Sequence, residues 1–316
     1  MTATLQSTVN AQASGLMTAQ KINCLRADFH QKRNSYKAEK RFVNERRLQI
    51  GSTAVVSKAF DRRLGCYVAL KRMEIERYIN ANKKEFHIGK AMGQHPNVVT
   101  TYEKLFINKQ VCIVMDCLDG GDLVDILADR EAGFDHQEFL TFARQLAAGL
   151  SHIHSKGVAH RDIKSDNISV STKDGQAKIL DFGESQFVSE PMVSLKSGTL
   201  PYMAPELVSA IEECRGQYNV GDVDLDLMKT DVWSMGITFY SMYTSQIPFG
   251  CASLQDSGFR NYLQRHVFGA PGVWAAVDED IKILLENMCE PDPELRWSMD
   301  MVVKYLNELC KRESHK

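Results

Sequence analysis

The order of hydrophobic and polar residues predicts a β-rich region followed by a helical one. Residues 46–73 contain three short strand-like segments, separated by turn-like residues at 51–52 and 63–65. This pattern predicts an antiparallel sheet built from hairpins. Residues 74–93 have the charged, amphipathic pattern of a helix, and residues 111–116 form an apolar run typical of a buried strand.

The chain changes character after Gly120 and Gly121. Hydrophobic patterns with helical spacing occupy residues 139–157, 232–243 and 281–289. We therefore predict an α+β fold of two lobes. A small antiparallel sheet with one helix forms the first lobe, and the second is larger and mainly helical. A cleft between two such lobes is a preferred place for a ligand.

These patterns divide the chain into four predicted segments. Residues 1–42 are rich in Thr, Ala, Gln and Ser without periodicity, then turn basic, which predicts a flexible leader. The first lobe and a connecting hinge occupy 43–118, and the second lobe occupies 119–312. Residues 313–316 form a short tail, so we expect no regulatory segment after the last helix.

Composition and charge exclude several classes of function. A hydrophobic content of 44% with 25% charged residues is typical of a globular protein with a buried core. The formal net charge of −2 argues against binding nucleic acid or anionic membranes through a basic surface. No apolar run is long enough to span a bilayer, and the N-terminus lacks a signal-peptide core. We expect an intracellular protein, cytoplasmic or nuclear or both, with no nucleic-acid or membrane partner.

The N-terminus admits two interpretations, whereas the cysteines admit one. Residues before Asp28 contain no acid, which leaves a mitochondrial transit peptide open, but their few bases favour an unstructured leader. The eight cysteines are scattered singly, without a C-x-x-C pair or histidines at zinc spacing. We interpret them as reduced thiols.

Two motifs carry the strongest chemical signal. The sequence HRDIKSDN occupies residues 160–167, and Asp181-Phe182-Gly183 begins nineteen residues after Asp162. With these motifs the chain resembles the eukaryotic protein kinase family, whose motifs follow in family order over about residues 46–311. Because phosphoryl transfer depends on positioning and charge neutralisation, the resemblance implies a defined part for each matched residue.

The resemblance assigns the catalytic residues and the cofactors. Asp162 matches the catalytic base, and Asn167 and Asp181 match the two magnesium ligands of an enzyme that uses ATP and Mg²⁺. Lys164 matches the lysine with which serine/threonine kinases stabilise the transferring phosphoryl group. Thr199 matches the threonine that touches Asp162 and Lys164. The implied substrates are serine and threonine hydroxyls of proteins.

The resemblance also assigns residues to the nucleotide. Lys71 would hold the α- and β-phosphates with Glu85 as its partner, and Met115 would lie behind the adenine. The backbone from Asp116 to Leu118 would bond the adenine edge. The complete set that we assign is Gly51, Val56, Ala69, Lys71, Glu85, Met115, Asp116, Leu118 and Asp122, the last on the ribose side.

Further matches indicate a platform for protein substrates. Ser197-Gly198-Thr199 and Met203-Ala204-Pro205-Glu206 match the end of the activation segment. The resemblance pairs Glu206 with Arg296 and makes Asp231 the buried acid that holds the catalytic loop. Kinases of small molecules, the alternative on this fold, lack these elements.

The chain departs from the family pattern at several small residues. Gln49, Gly51 and Ala54 stand where three glycines are expected, and Thr53 stands at the aromatic loop tip, which predicts weak nucleotide clamping. Three further small residues replace large apolar ones, which predicts a looser helix and a poorer adenine slot; these are Gly89, Thr101 and Ser169. The departures motivate an alternative, a pseudokinase or nucleotide-dependent scaffold.

Regulation and specificity give further expectations. Arg161 suggests that a phosphate on the activation segment, added by an activating kinase or partner, controls the enzyme. Leu195 stands at the position usually modified, which leaves Ser194 and Ser197 as candidate acceptors. Asp122 and Asp166 predict a preference for basic residues before the acceptor, modest because Ser241 replaces a third acid.

An insert of about a dozen residues between Glu206 and Asp231 carries three alternating acids, Asp222, Asp224 and Asp226. The spacing resembles a calcium loop, but Leu227 and Trp233 stand where glycine and glutamate are required. We interpret the insert as solvated.

Overall fold

The computed structural model describes residues 40–51, 54–80, 84–107, 109–130, 132–192, 194–195, 197–214 and 224–313. Four predicted features lie outside these residues: the leader before Lys40, the loop tip at Thr53, Asp222 of the insert and the tail residues 314–316. The chain divides into two compact units, each described by itself below.

The smaller unit comprises the chain up to Ile79 together with Glu103–Val114. Its sheet has the strand order β1-β2-β3-β5-β4. The strands are β1 (Phe42–Ile50), β2 (Val55–Asp61), β3 (Cys66–Glu74), β4 (Thr101–Ile107) and β5 (Gln110–Asp116). The first three pair as antiparallel hairpins, as predicted.

Within the predicted helix over 74–93, the described residues form α1 (Ile75–Asn80) and α2 (Lys84–Met92). The residues between these two helices lie outside the described part of the chain, so a single helix over this range stays a prediction. The segment Asn80–Tyr102, which includes α2, belongs to the larger unit.

The larger unit comprises Asn80–Tyr102 and the chain from Met115 onward. Its further helices are α3 (Leu123–Ala128), α4 (His136–Ser155), α5 (Pro205–Glu213), α6 (Leu227–Thr244), α7 (Ser257–Arg265), α8 (Pro271–Ala275), α9 (Glu279–Met288) and α10 (Met299–Glu313). The three predicted helical patterns fall within or nearly within α4, α6 and α9. None of the helices described is long and apolar enough to cross a membrane.

The apolar core of the larger unit forms around α6. Trp233 and Phe239 of this helix are fully buried, and Phe239 meets Phe139 of α4 edge to face, with ring centroids 5.7 Å apart. Asp135 begins α4 with a capping box and Asp226 caps α6, which satisfies amide groups at both helix starts. Both helices therefore begin at residues whose side chains hydrogen-bond the first turn.

Two small two-stranded sheets also belong to this unit, and the motif residues lie beside their strands. The strands are β6 (Val158–Ala159), β7 (Ile168–Val170), β8 (Ala177–Ile179) and β9 (Gln186–Phe187). Strand β6 pairs with β9, and β7 pairs with β8, both antiparallel. The chain between β6 and β7 contains the HRDIKSDN motif.

Candidate active site

A buried carboxylate of α6 holds the loop after β6. Asp231, 1% exposed, accepts hydrogen bonds from the backbone N–H groups of His160 and Arg161, each at 2.7 Å. His154 Nε2 lies 3.0 Å from the same carboxylate. Arg161 has a φ of 69°, a strained conformation that persists only where the surroundings fix it. The predicted role of Asp231 therefore matches the contacts.

Asp162 lies at the centre of a four-residue cluster. Its Oδ1 accepts a hydrogen bond from Thr199 Oγ1 at 2.9 Å, and its Oδ2 accepts one from Asn167 Nδ2 at 3.0 Å. Lys164 Nζ lies 3.1 Å from Oδ2 and donates to Thr199 Oγ1 at 2.7 Å. The predicted contacts of Thr199 with both charged residues are present. A carboxylate, an ammonium group and a hydroxyl therefore lie within hydrogen-bond distance of one another.

The hairpin of β7 and β8 has Asn167 and Asp181, the two predicted magnesium ligands, near the same end. Ile168 pairs with Ile179, so Asn167 and Leu180 follow at the same end, where Leu180 N donates to Asn167 O at 2.8 Å. Asp181 is the next residue. Asn167 Nδ2 is bonded to Asp162, whereas its Oδ1 accepts no hydrogen bond from a described residue.

Oxygen donors of this kind fit a hard cation such as Mg²⁺. No cluster of three or more His, Cys, Asp or Glu side chains in the described part of the chain could hold a metal. A magnesium ion here would take its other ligands from phosphate and water, which Mg²⁺ commonly does.

The two small residues beside the catalytic loop fit each other closely. A Cβ atom added to Gly89 of α2 would lie 2.3 Å from Thr101 Oγ1. At this point the backbone of α2 and the Thr101 side chain leave no room for two large side chains, and the looser helix that we expected stays a prediction. His160 and Phe182 also pack together, with ring centroids 5.5 Å apart.

Ser169 has a specific hydrogen-bond partner. Its side chain is buried, and its hydroxyl donates to Gly121 O at 2.6 Å. The backbone of Ser169 also forms a bridge with Asp122. The hydroxyl thus links β7 to the residues just before α3. We predicted only a poorer adenine slot at Ser169 and did not predict this hydrogen bond.

The carboxylate of Asp116 is satisfied by three donors. They are Tyr102 Oη at 2.5 Å, Lys178 Nζ at 2.6 Å and the Thr100 N–H at 3.0 Å. Burial alone raises the pKa of Asp116, but the bonds from Lys178 and Tyr102 outweigh it and hold the pKa below its ordinary value. We did not predict this role of Lys178, which no motif marks.

Asp122 caps a helix as well as matching the ribose-side acid. Its carboxylate accepts from Asp125 N at 2.9 Å at the start of α3. Burial, together with the charges of Asp125 and Asp166, raises the pKa of Asp122. Asp166 is exposed and makes no hydrogen bond or ion pair with a described residue.

In the smaller unit, the predicted nucleotide residues lie on the first hairpins. Val56 and Lys71 are direct partners across β2 and β3, and Ala69 is buried. Lys71 is 8% exposed. Glu85 belongs to the larger unit, and its pairing with Lys71 stays a prediction. Gly51 donates its N–H to Ala54 O at 2.9 Å.

The segment before α5 is anchored as predicted at its end. Arg296, 1% exposed, forms two parallel bonds to Glu206, at 2.7 and 2.9 Å. Ser241, at the position of the missing acid, is buried, and its hydroxyl lies 3.1 Å from Ser165 Oγ.

Comparison with known proteins gives a consistent result. The family described as protein kinase domain matches residues 42–306. A probable serine/threonine-protein kinase of Dictyostelium discoideum is 30% identical over 270 residues, 84% of this chain and 30% of the relative. The serine/threonine-protein kinase PAK mbt of Drosophila melanogaster is 33% identical over 205 residues, 63% of this chain and 29% of the relative.

A third relative is the mouse serine/threonine-protein kinase Nek5, 30% identical over 270 residues, 83% of this chain and 40% of the relative. The matched region therefore covers less than half the length of each of these relatives.

Proposed function

Because this chain belongs to the protein kinase domain family, we propose that it transfers the γ-phosphoryl group of ATP to serine or threonine hydroxyls of proteins. The observation that carries this proposal is the cluster of Asp162, Lys164, Asn167 and Thr199 on a loop held by Asp231. The cluster brings a carboxylate, an ammonium group, an amide and a hydroxyl together, with hydrogen bonds that support a fixed orientation for transfer.

Each residue of the cluster has a proposed part in the reaction. Asp162 accepts the proton of the acceptor hydroxyl, and Lys164, 3.1 Å from it, neutralises charge on the transferring group. Thr199 holds the two in register. Asn167 and Asp181 would hold Mg²⁺, which would offset the negative charge of the phosphates.

We assign the nucleotide to the residues that the family resemblance gives. Lys71 serves the phosphates, and the Leu118 N–H serves the adenine edge because no described residue accepts a hydrogen bond from it. Gly51, Val56 and Ala69 line the phosphate and adenine side. The remaining assignments are those of the family resemblance: Glu85, Met115, Asp116 and Asp122.

The surface acids support a preference for basic substrates. Asp166 is exposed without a partner among the described residues, and the charge of Asp166 acts on Asp122. A guanidinium of the substrate that meets either carboxylate would form a charge-assisted hydrogen bond. We therefore assign arginine or lysine shortly before the acceptor as the preferred context.

One observation favours the scaffold alternative. The Gly51 N–H is bonded within its own loop to Ala54 O, and Ala54 is buried. A backbone amide used in this way does not bind phosphate, so nucleotide could be held weakly, without transfer.

The deciding experiment is transfer of labelled phosphate from ATP with magnesium to generic basic proteins. We expect transfer by the wild type and a loss of about 10²- to 10⁴-fold in kcat for Asp162→Asn, with the fold and ATP binding retained. Asp129→Asn, an exposed acid at the end of α3, is the matched control and should behave as wild type.

The other outcomes identify the alternatives. A folded wild type that binds ATP but transfers nothing supports the scaffold. Transfer only to free hydroxyl compounds identifies a small-molecule kinase. A positional peptide library tests the preference, which should favour Arg or Lys before the acceptor in the wild type and be lost in Asp166→Ala; a flat profile contradicts it.

A further inference from the structure

A buried amide lies between the catalytic loop and the segment that follows β9. Gln186 pairs with Ala159 of β6, one residue before His160, and its side chain is 2% exposed. Its Oε1 accepts a hydrogen bond from Arg161 Nη1 at 3.1 Å. Its Nε2 donates to Glu190 O at 2.9 Å and to Pro191 O at 3.1 Å.

This environment specifies an amide. Two carbonyl oxygens face one end of the side chain, and a guanidinium faces the other. Glutamine supplies two donors and one acceptor in that arrangement. A glutamate would place an acceptor against both carbonyls, and a lysine would offer no acceptor to Arg161. Either change leaves buried polar groups unsatisfied.

The guanidinium of Arg161 is held entirely by neutral groups. Besides Gln186, it donates to the backbone carbonyl of Ser194. It forms no salt bridge with a residue in the described ranges, although the carboxylates of Glu184 and Asp231 act on it from a longer distance. The arginine is therefore ordered by an amide and a carbonyl, in the place where we expected a phosphate.

Further contacts fasten the same segment at two other points. Lys84 at the start of α2 binds the Glu190 carboxylate at 2.5 Å. Leu195, 6% exposed, packs with Leu207 and Ala210 of α5. Ser197, one of the two predicted phosphate acceptors, is only 5% exposed.

We propose that Gln186 is a positioning residue that holds Glu190 and Pro191 beside Arg161, so that Asp162 is placed for phosphoryl transfer without a phosphate on this segment. The amide replaces the anion as the bridge between segment and catalytic loop. The inference rests on the proposed kinase activity.

The test compares the full chain as purified with the same protein after phosphatase treatment. Intact mass before and after the assay establishes that the treated protein carries no phosphate. We expect the treated wild type to keep at least about half of its kcat, since the Arg161 guanidinium forms no hydrogen bond or ion pair with an anion among the described residues.

Two variants test the amide itself. Gln186→Met keeps the volume, and Gln186→Glu keeps only the acceptor for Arg161. In both, kcat should fall about tenfold or more while KM for ATP changes less than about twofold, because ground-state nucleotide binding is untouched. Gln145→Met is the control, since its amide oxygen bonds Asn97 and Ala177 away from the loop. It should lower Tm without lowering kcat.

Three results overturn the inference. Loss of activity on phosphatase treatment alone refutes it while leaving the kinase function standing. A kcat of wild-type size in folded Gln186→Met also refutes it alone. A wild type inactive in both phosphorylation states refutes the proposed function and this inference with it. The phosphatase comparison needs no variant, so it decides even if the variants fail to fold.

Discussion

Thr199 joins the two charged residues of the catalytic cluster by a single hydroxyl. The hydroxyl accepts a hydrogen bond from Lys164 Nζ and donates one to Asp162 Oδ1. Its proton and one of its two lone pairs are thus used. Lys164 Nζ also lies 3.1 Å from Asp162 Oδ2, so a side chain without the hydroxyl would leave only this ion pair between the two groups. The threonine therefore fixes an orientation that the ion pair alone would leave free.

Thr199→Val should lower kcat by about 10- to 100-fold, the loss expected for hydrogen bonds to charged groups. Valine keeps the shape, so Tm should stay within error. Thr199→Ser restores the hydroxyl and should recover most of the activity in the same steady-state assay. Equal kcat values for the valine and serine variants would show that the hydroxyl is not used.

His95 gives the larger unit a dependence on pH. Its ring stacks on His152 with centroids 4.5 Å apart, and its Nδ1 accepts the Asn97 N–H. Burial, then the positive charges of His152 and Lys178, holds the pKa of His95 below its ordinary value of 6.5. The unfolded chain therefore takes up a proton at a higher pH than the folded protein does.

The free energy of unfolding should consequently be greatest above the ordinary histidine pKa and decrease as pH falls through it. Urea unfolding at pH 8 and pH 5 measures the difference. His95→Asn, which keeps an acceptor, should reduce it, whereas His87→Asn on the exposed side of α2 serves as the control. An unchanged difference in His95→Asn would assign the effect to other groups.

At the scale of elements, α2 and β4 approach each other because two small residues meet. Gly89→Ala would normally strengthen a helix, but here the added Cβ lies 2.3 Å from Thr101 Oγ1. We expect Gly89→Ala to lower the free energy of unfolding by about 1–3 kcal/mol, the usual cost of overpacking.

The effect should be smaller when Thr101→Ala removes the nearest atom, so that the double variant loses less than the sum of the single ones. Gly272→Ala is the control, because nothing lies near its Cβ position in α8. That change should stabilise by about 0.4–1 kcal/mol. Additive effects at 89 and 101 would mean that the helix shifts to accommodate the methyl group.

The sequence predicts some elements well and others poorly for physical reasons. Long apolar patterns at 139–157 and 232–243 identified α4 and α6 because one face or the whole surface of each is buried. No pattern indicated β6 and β9, since a strand of two residues is too short to show a periodicity. Periodicity records burial and does not record where the backbone turns.

At the scale of the whole molecule, charge is nearly balanced. With 38 basic and 40 acidic residues, no large net field steers a charged substrate. Any preference for basic peptides must come from local carboxylates such as Asp166. The KM for an arginine-containing peptide should therefore rise about two- to tenfold between about 0.05 and 0.5 M salt, as the screening length shortens.

The KM for a neutral peptide should stay constant over this range. In Asp166→Asn the salt dependence should become weaker, with kcat at saturating peptide preserved. An identical slope in the variant and the wild type would place the attraction elsewhere.

The motifs predicted contacts in which both residues belong to a motif, such as the pair of Glu206 and Arg296. They could not anticipate pairs whose members lie outside every motif. Gln186 and Lys178 have no periodicity or spacing that identifies a distant carbonyl or carboxylate as a partner. Such pairs depend on the register of β6 with β9 and on the position of β8, which only the folded chain sets.

Under the proposed function, the saturated carboxylate of Asp116 affects the design of inhibitors that compete with ATP. A compound with an amine aimed at this side chain would have to displace Lys178 Nζ at 2.6 Å and would meet its positive charge. Cationic substituents in that direction should therefore weaken affinity. Neutral compounds that bind the Leu118 amide should keep their affinity. If the proposed nucleotide site is correct, inhibitors without a cation directed at Asp116 should therefore bind more tightly than inhibitors that carry one.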